Sequence, residues 1–181
     1  MSLSLRNTTE YIATFIVRKD QLVLARPPGI PPGAEIIVPM ADTYQVTATA
    51  VIDGNTFNSA PMNISGAMGF LAQVLQVPSQ GTYEFNVVET PSTVPNQLQF
   101  QKTCLPPVTF TISHNNASVQ SVVVSDSFQM VTVGIGDTYN VTAVINGITT
   151  APVTTTNPNA TITAVSDTSS SDLGYYTLKV S

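Results

Sequence analysis

Few side chains in this sequence have the chemistry for catalysis or metal binding, and their spacing limits what they can do. His114 is the only histidine, which excludes a His-rich zinc centre and a two-histidine facial triad. It sits in Ser113-His114-Asn115-Asn116, read as a turn after a strand. A Ser-His-Asp arrangement around it would need a nucleophile on a strained turn, and no Gly-x-Ser-x-Gly motif is present. Cys104 is the only cysteine, so neither an intrachain disulfide nor a cysteine zinc cluster can form. A bridge to another chain and an inert thiol both stay open. The carboxylates Asp42, Asp53, Asp126, Asp137 and Asp172 each adjoin turn residues, where an Asp side chain bonds the backbone two residues on. A calcium site would need several acidic oxygens converging, and Asp-x-Asp-x-Asp spacing is absent. Gly66 to Gly69 lacks the lysine and the strand-to-helix setting of a phosphate loop. Five Asn-x-Ser/Thr sequons, at Asn7, Asn63, Asn116, Asn140 and Asn159, arise easily in a chain this rich in those residues, and Asn140 falls inside a predicted strand. No catalytic, cofactor-binding or metal-binding residue is assigned, and the expectation is a protein that is not an enzyme.

Composition narrows the partners. The chain has 181 residues, 43% of them hydrophobic, enough for one or two modest cores. Only 9% are charged, with a net charge of −5. Disorder needs low hydrophobicity with high net charge, so the chain is expected to fold. Nucleic acid is not expected as a partner, because phosphate backbones call for clustered Lys and Arg and there are six in all. Arg6, Arg18, Lys19 and Arg26 read as solvated charges on an edge strand, with a weak basic patch as the alternative. No apolar run approaches the roughly 20 residues of a membrane span, and Arg6 and Glu10 interrupt any signal-like apolar core between Met1 and Arg18.

A duplication organises the chain. Thr14-Phe15 recurs as Thr109-Phe110 and Asp42-Thr43-Tyr44 as Asp137-Thr138-Tyr139, both at an offset of 95 residues. Gln45 to Gly54 answers Asn140 to Gly147 with two residues lost, Ala60-Pro61-Met62 answers Ala151-Pro152-Val153, and Gly81 answers Gly174. The expected layout is therefore an N-terminal arm (1–10), a first domain (11–89), a proline-containing linker (90–106) and a second domain (107–181). Alternation of Leu3 and Leu5 marks the arm as a short strand. It either folds onto its own domain, reaches a neighbouring subunit, or frays. Leu98 to Gln101 also alternates and is expected as an added edge strand.

Within each repeat the apolar period is two. Tyr44, Val46, Ala48 and Ala50 share one face, and Asp53-Gly54 and Asn146-Gly147 suit tight hairpins. Further strands are expected over 11–17, 22–25, 34–38, 70–77, 82–89, 108–113, 119–124, 128–133, 160–165 and 175–180. No stretch has a helical stripe, although Ala67 to Val77 has room for a turn. Expected core residues are Phe15, Val17, Tyr44, Val46, Leu71 and Phe85, then Phe110, Ile112, Tyr139, Val141, Ile162 and Leu178. Short strands separated by turns mean an all-β sandwich or barrel.

The run Gly136-Asp137-Thr138-Tyr139-Asn140-Val141-Thr142-Ala143, then Asn146-Gly147, Asn157-Pro158-Asn159 and Gly174, resembles bacterial immunoglobulin-like (invasin-type) domains. The first repeat departs from it, with Ala41 in place of the glycine and no Asn-Pro turn. Asp172-x-Gly174-x-Tyr176 is similar to the tyrosine corner of antibody-type domains, but the Cys pair and Trp are missing. The resemblance implies two tandem immunoglobulin-like β-sandwich domains of the kind found in adhesins and tailed-phage virion proteins. The expected function is thus a non-enzymatic assembly protein, a virion decoration or tail component or an extracellular fibre subunit, located in a virion or at a cell surface. Its expected partners are copies of itself or other structural proteins. The alternative is an adhesin fragment or glycan-binding module meeting a cell-surface glycan or receptor.

Overall fold

The computed structural model describes residues 1–40, 43–169 and 175–181. Among them every regular element is a strand. In the first repeat these are β1 (Ser2–Asn7), β2 (Ala13–Lys19), β3 (Leu22–Ala25), β4 (Glu35–Pro39), β5 (Tyr44–Ile52), β6 (Asn55–Asn58), β7 (Met62–Asn63), β8 (Met68–Val77) and β9 (Thr82–Pro91). The second repeats the series as β10 (Gln97–Lys102), β11 (Val108–His114), β12 (Ala117–Val124), β13 (Val131–Gly134), β14 (Tyr139–Ile145), β15 (Ile148–Thr149), β16 (Val153–Thr155), β17 (Thr161–Ser166) and β18 (Tyr176–Val180).

The strands form where alternation and turn chemistry dictate. Along β5 Tyr44, Val46, Ala48 and Ala50 are buried while the residues between them are not. Asp53-Gly54 and Asn146-Gly147 turn at positive φ (51° and 77°, 49° and 75°), as two-residue hairpins require. The Ala-Pro pairs at 60–61 and 151–152 interrupt the next strand, because proline has no N–H to give the ladder. Hydroxyls fill in beside them. Ser59 Oγ accepts from the Ala48 N–H at 2.8 Å, and Thr150 Oγ1 accepts from the Ala143 N–H at 3.1 Å.

The chain divides into two compact units, and they do not follow the repeats. One comprises Met1–Asp42 with Asp137–Ser181; the other is Thr43–Gly136. The discontinuous unit has sheets β18-β17-β1-β4 and β15-β14-β2-β3, with β16 beside β14. The continuous unit has sheets β9-β8-β10-β13 and β6-β5-β11-β12, with β7 beside β5. Each strand of one unit has its repeat counterpart at the same place in the other. Two repeats have exchanged halves: β1–β4 are completed by β14–β18, and β10–β13 by β5–β9.

Register confirms the equivalence. β2 pairs with β14 through Val17↔Val141 and Phe15↔Ala143, and β11 pairs with β5 through Ile112↔Val46 and Phe110↔Ala48. The parallel pairs Leu5↔Ile162 and Phe100↔Phe70 match likewise. Tyr44 and Tyr139 open corresponding strands, opposite His114 and Lys19. In the continuous unit Phe100 stacks on Phe70 within one sheet, and its ring centroid lies 5.0 Å from that of Phe110 in the other, so the two sheets pack face to face. In the discontinuous unit Leu3, Leu5, Phe15, Val17, Val141, Ile145 and Ile162 are fully buried. Both units are β-sandwich-like.

The expected boundaries at 89 and 107 are therefore not where contacts divide. The chain crosses between units at 42/43 and 136/137. Residues 1–10 are no free arm: β1 lies between β17 and β4 with Leu3 and Leu5 buried. The 90–106 linker contains β10, an inner strand between β8 and β13 instead of an edge. Of the expected core, Phe15, Val17, Tyr44, Val46, Phe110, Ile112, Val141, Ile162 and Leu178 are buried; Leu71, Phe85 and Tyr139 are only half-buried. Leu71 follows buried Phe70, so the pleat turns it to the outer face. Phe128, expected in a strand, is fully exposed in the loop before β13.

Candidate functional site

His114 ends β11 and is held locally. Its ring stacks on Tyr44 with centroids 4.9 Å apart, Nδ1–H donates to the Thr43 carbonyl at 3.2 Å, and Nε2 accepts from the Asn115 amide at 3.2 Å. One neutral tautomer serves both bonds. Asp53 lies in the β5–β6 turn and Asp126 in the loop before β13. Asp137 reaches Lys19 at 3.7 Å with its own side chain 92% exposed, a pair worth little in water. Asp42, Asp172 and Gly174 lie outside the described residues; Tyr176, the tyrosine of the corner motif, opens β18 and is buried. Among the described residues no three His, Cys, Asp or Glu are placed to hold a metal ion.

The other singled-out residues are scattered. Gly66 takes φ 79° in a turn, while Gly69 is in β8 pressed against Thr90 of β9. Asn7 is fully buried; Asn63, Asn116 and Asn159 are exposed, and Asn140 is half-buried on β14. Arg6 is on inner strand β1, facing Glu35 across the ladder, and Arg18 and Lys19 are on inner strand β2. The edge-strand reading is thereby corrected for these three, while Arg26 directly follows edge strand β3. Arg6 is exposed, and Arg18 and Lys19 are half-buried.

Two features escaped the sequence reading. Lys102, at the end of β10, is only 1% exposed. Its ammonium donates to the Cys104 carbonyl at 2.8 Å, the Leu105 carbonyl at 3.2 Å and Ser127 Oγ at 3.3 Å. These bonds tie the β10–β11 connection to the loop before β13. The neighbouring Cys104 thiol is pushed above its ordinary pKa by burial, with the Lys102 charge opposing. A search for buried polar positions through the 95-residue offset would have found Lys102, since it answers Asn7.

The second feature is apolar and outward. Leu105 is 92% exposed and Phe128 104% exposed. Both line a depression of about 600 Å³ with Lys102, Ser125, Asp126, Ser127 and Gln129. Leu105 also rims a second depression, of about 660 Å³, with Val51, Val74, Tyr83 and Pro106. Exposing two large side chains at loop tips gains nothing for folding, because neither is removed from water. Such a patch suits contact with another surface. The chain matches no protein-family model, and neither curated proteins nor solved structures give a match.

Proposed function

We propose that this is a non-enzymatic assembly protein, a subunit of a virion or an extracellular fibre, whose units are immunoglobulin-like sandwiches with exchanged halves. The observation carrying the reading is the loop end of the continuous unit, where Leu105 and Phe128 stand in solvent beside two depressions. Low charge supports it, since 9% charged residues supply little mutual repulsion between copies. The Gly-Asp-Thr-Tyr and Asn-Pro-Asn likeness to bacterial immunoglobulin-like domains supports the same class. Light scattering on Leu105→Ser/Phe128→Ser tests it. Both side chains are exposed, so the fold is expected to persist while the assembled mass falls. A parent protein that is monomeric at every concentration, or a variant with unchanged mass, would sink the reading.

One observation favours a second reading, a glycan-binding module. Phe128 offers an aromatic face beside Ser125, Asp126, Ser127 and Gln129, polar side chains of the kind that bond sugar hydroxyls. Phe128→Ala would then abolish binding to a glycan array without changing particle mass.

A further inference from the structure

We infer that the discontinuous unit is a joint that a second copy of this chain can complete, residues 1–40 of one copy closing on residues 139–181 of the next. The inference rests on the assembly reading and names the partner. Its basis is an asymmetry between the units. The continuous unit, Thr43–Gly136, finds all its strands in one uninterrupted stretch. The other unit is assembled from two segments with that whole stretch between them.

Neither segment has a closed core alone. β1 needs β17 on one side, and β2 needs β14. The bonds joining them are main-chain ladders with the registers Leu5↔Ile162 and Val17↔Val141. A second copy supplies the same strands, residue for residue, so closure between copies makes every bond that closure within a copy makes. The halves already select partners across the repeat boundary: β2 pairs with β14 and not with β5 of its own repeat. The connections into the neighbouring unit are short, from Pro39 to Tyr44 and from Gly134 to Tyr139. Short hinges invite exchange between copies wherever closure within one copy strains them. Each copy would contribute one complete sandwich and two half-sandwiches, and head-to-tail closure gives a ring or an open chain of copies according to the rotation between them.

The choice is then set by concentration. A tethered segment competes at an effective concentration of about 1 mM, so exchange is favoured when copies are crowded to that level during folding. Thr14 and Val144 face each other across β2 and β14 on the outer face, and both are exposed. In a Cys104→Ser background, one chain carries Thr14→Cys and a second carries Val144→Cys. Co-refolded at about 1 mM and then oxidised, the mixture should give a disulfide-linked pair of the two chains. Chains folded separately and then mixed should give at least tenfold less. The control chain with both substitutions should close an internal disulfide on dilute refolding. If the control closes but the co-refolded mixture gives no linked pair, exchange between copies is wrong. Should particles still form in that case, and lose mass in Leu105→Ser/Phe128→Ser, the assembly reading survives without this joint.

Discussion

Asn7 and Lys102 occupy the same place in the two repeats, 95 residues apart, and each closes its unit with a buried polar group. The Asn7 amide donates to the Tyr11 carbonyl at 2.7 Å and the Ile30 carbonyl at 2.8 Å, and its oxygen accepts from the Thr9 N–H and hydroxyl. Lys102 does the corresponding work with Cys104, Leu105 and Ser127. In both units a side chain at the end of the first strand ties the following turn to the loop ahead of the fourth. Two chemically unlike residues have been recruited to one structural task.

Their replacement should cost unequal amounts. Asn7→Leu leaves the buried Thr9 N–H unpaired, at about 1–3 kcal/mol for such a donor, while the Ile30 carbonyl keeps the Ala13 N–H and the Tyr11 carbonyl the Thr9 hydroxyl. The Cys104 carbonyl that Lys102 abandons keeps its bond from Ser127 Oγ, the Leu105 carbonyl is only partly buried, and removal of the ammonium also ends the cost of a buried charge. Lys102→Met should therefore destabilise less than Asn7→Leu in urea titrations. Equal losses would show that the ammonium site is as sealed as the amide site.

Gly69 offers a test of close packing between β8 and β9. A methyl group there would collide with Thr90 Oγ1, while the Thr90 carbonyl and Cβ lie at ordinary contact distances of 3.5 and 3.6 Å. Gly69→Ala should lose about 1–3 kcal/mol, the usual cost of overpacking. Thr90→Ala removes the offending oxygen, so the double variant should recover most of that loss relative to Thr90→Ala alone. Additive losses in the cycle would mean that the collision is not the cause.

Alternation and turn chemistry made the strands legible in the sequence, and partner choice was not. Tyr44 to Ala50 declares its buried face by itself, and Asp53-Gly54 declares its turn. Val17, however, is as well suited to Val46 as to Val141, because duplication gives both partners the same pattern and register. A repeat thus hides an exchange of its own halves. β1 and β10 were undervalued for a related reason. A short strand beside proline and polar residues looks peripheral until the parallel neighbours β17 and β8 are known. At the loop end, Phe128 shares a local pattern with strand residues, and only the fold places it in solvent.

Cys104 should report the burial of its surroundings. A free cysteine ionises near a pKa of about 8.5, and the thiolate is the reacting species. Burial raises the Cys104 pKa, so at pH 8 a smaller fraction is thiolate in the folded chain than in the unfolded one. Reaction with an aromatic disulfide reagent should be slow at pH 8, quicken as pH rises beyond the free-cysteine value, and jump when urea unfolds the protein. Lys102→Met removes the opposing charge and should slow the folded reaction further. A folded rate at pH 8 matching that in urea would contradict this account.

The exchange of halves within one chain can be read from two alternative cross-links that share Thr49. Thr49 of β5 lies directly opposite Thr109 of β11. In a tandem arrangement, the same register would instead bring Thr49 to Thr14, the repeat counterpart of Thr109. Directly paired residues on antiparallel strands have Cβ atoms about 4.5–5.5 Å apart, close enough for oxidation or a very short linker to join them. With Cys104 replaced by serine, Thr49→Cys/Thr109→Cys should close within the monomer under dilute conditions. Thr49→Cys/Thr14→Cys should stay reduced, because β2 has β14 and β3 as its ladder neighbours and is not paired with β5. Peptide mapping after digestion identifies the joined residues directly. Closure of the second pair in place of the first would restore the tandem arrangement and remove the basis for exchange between copies.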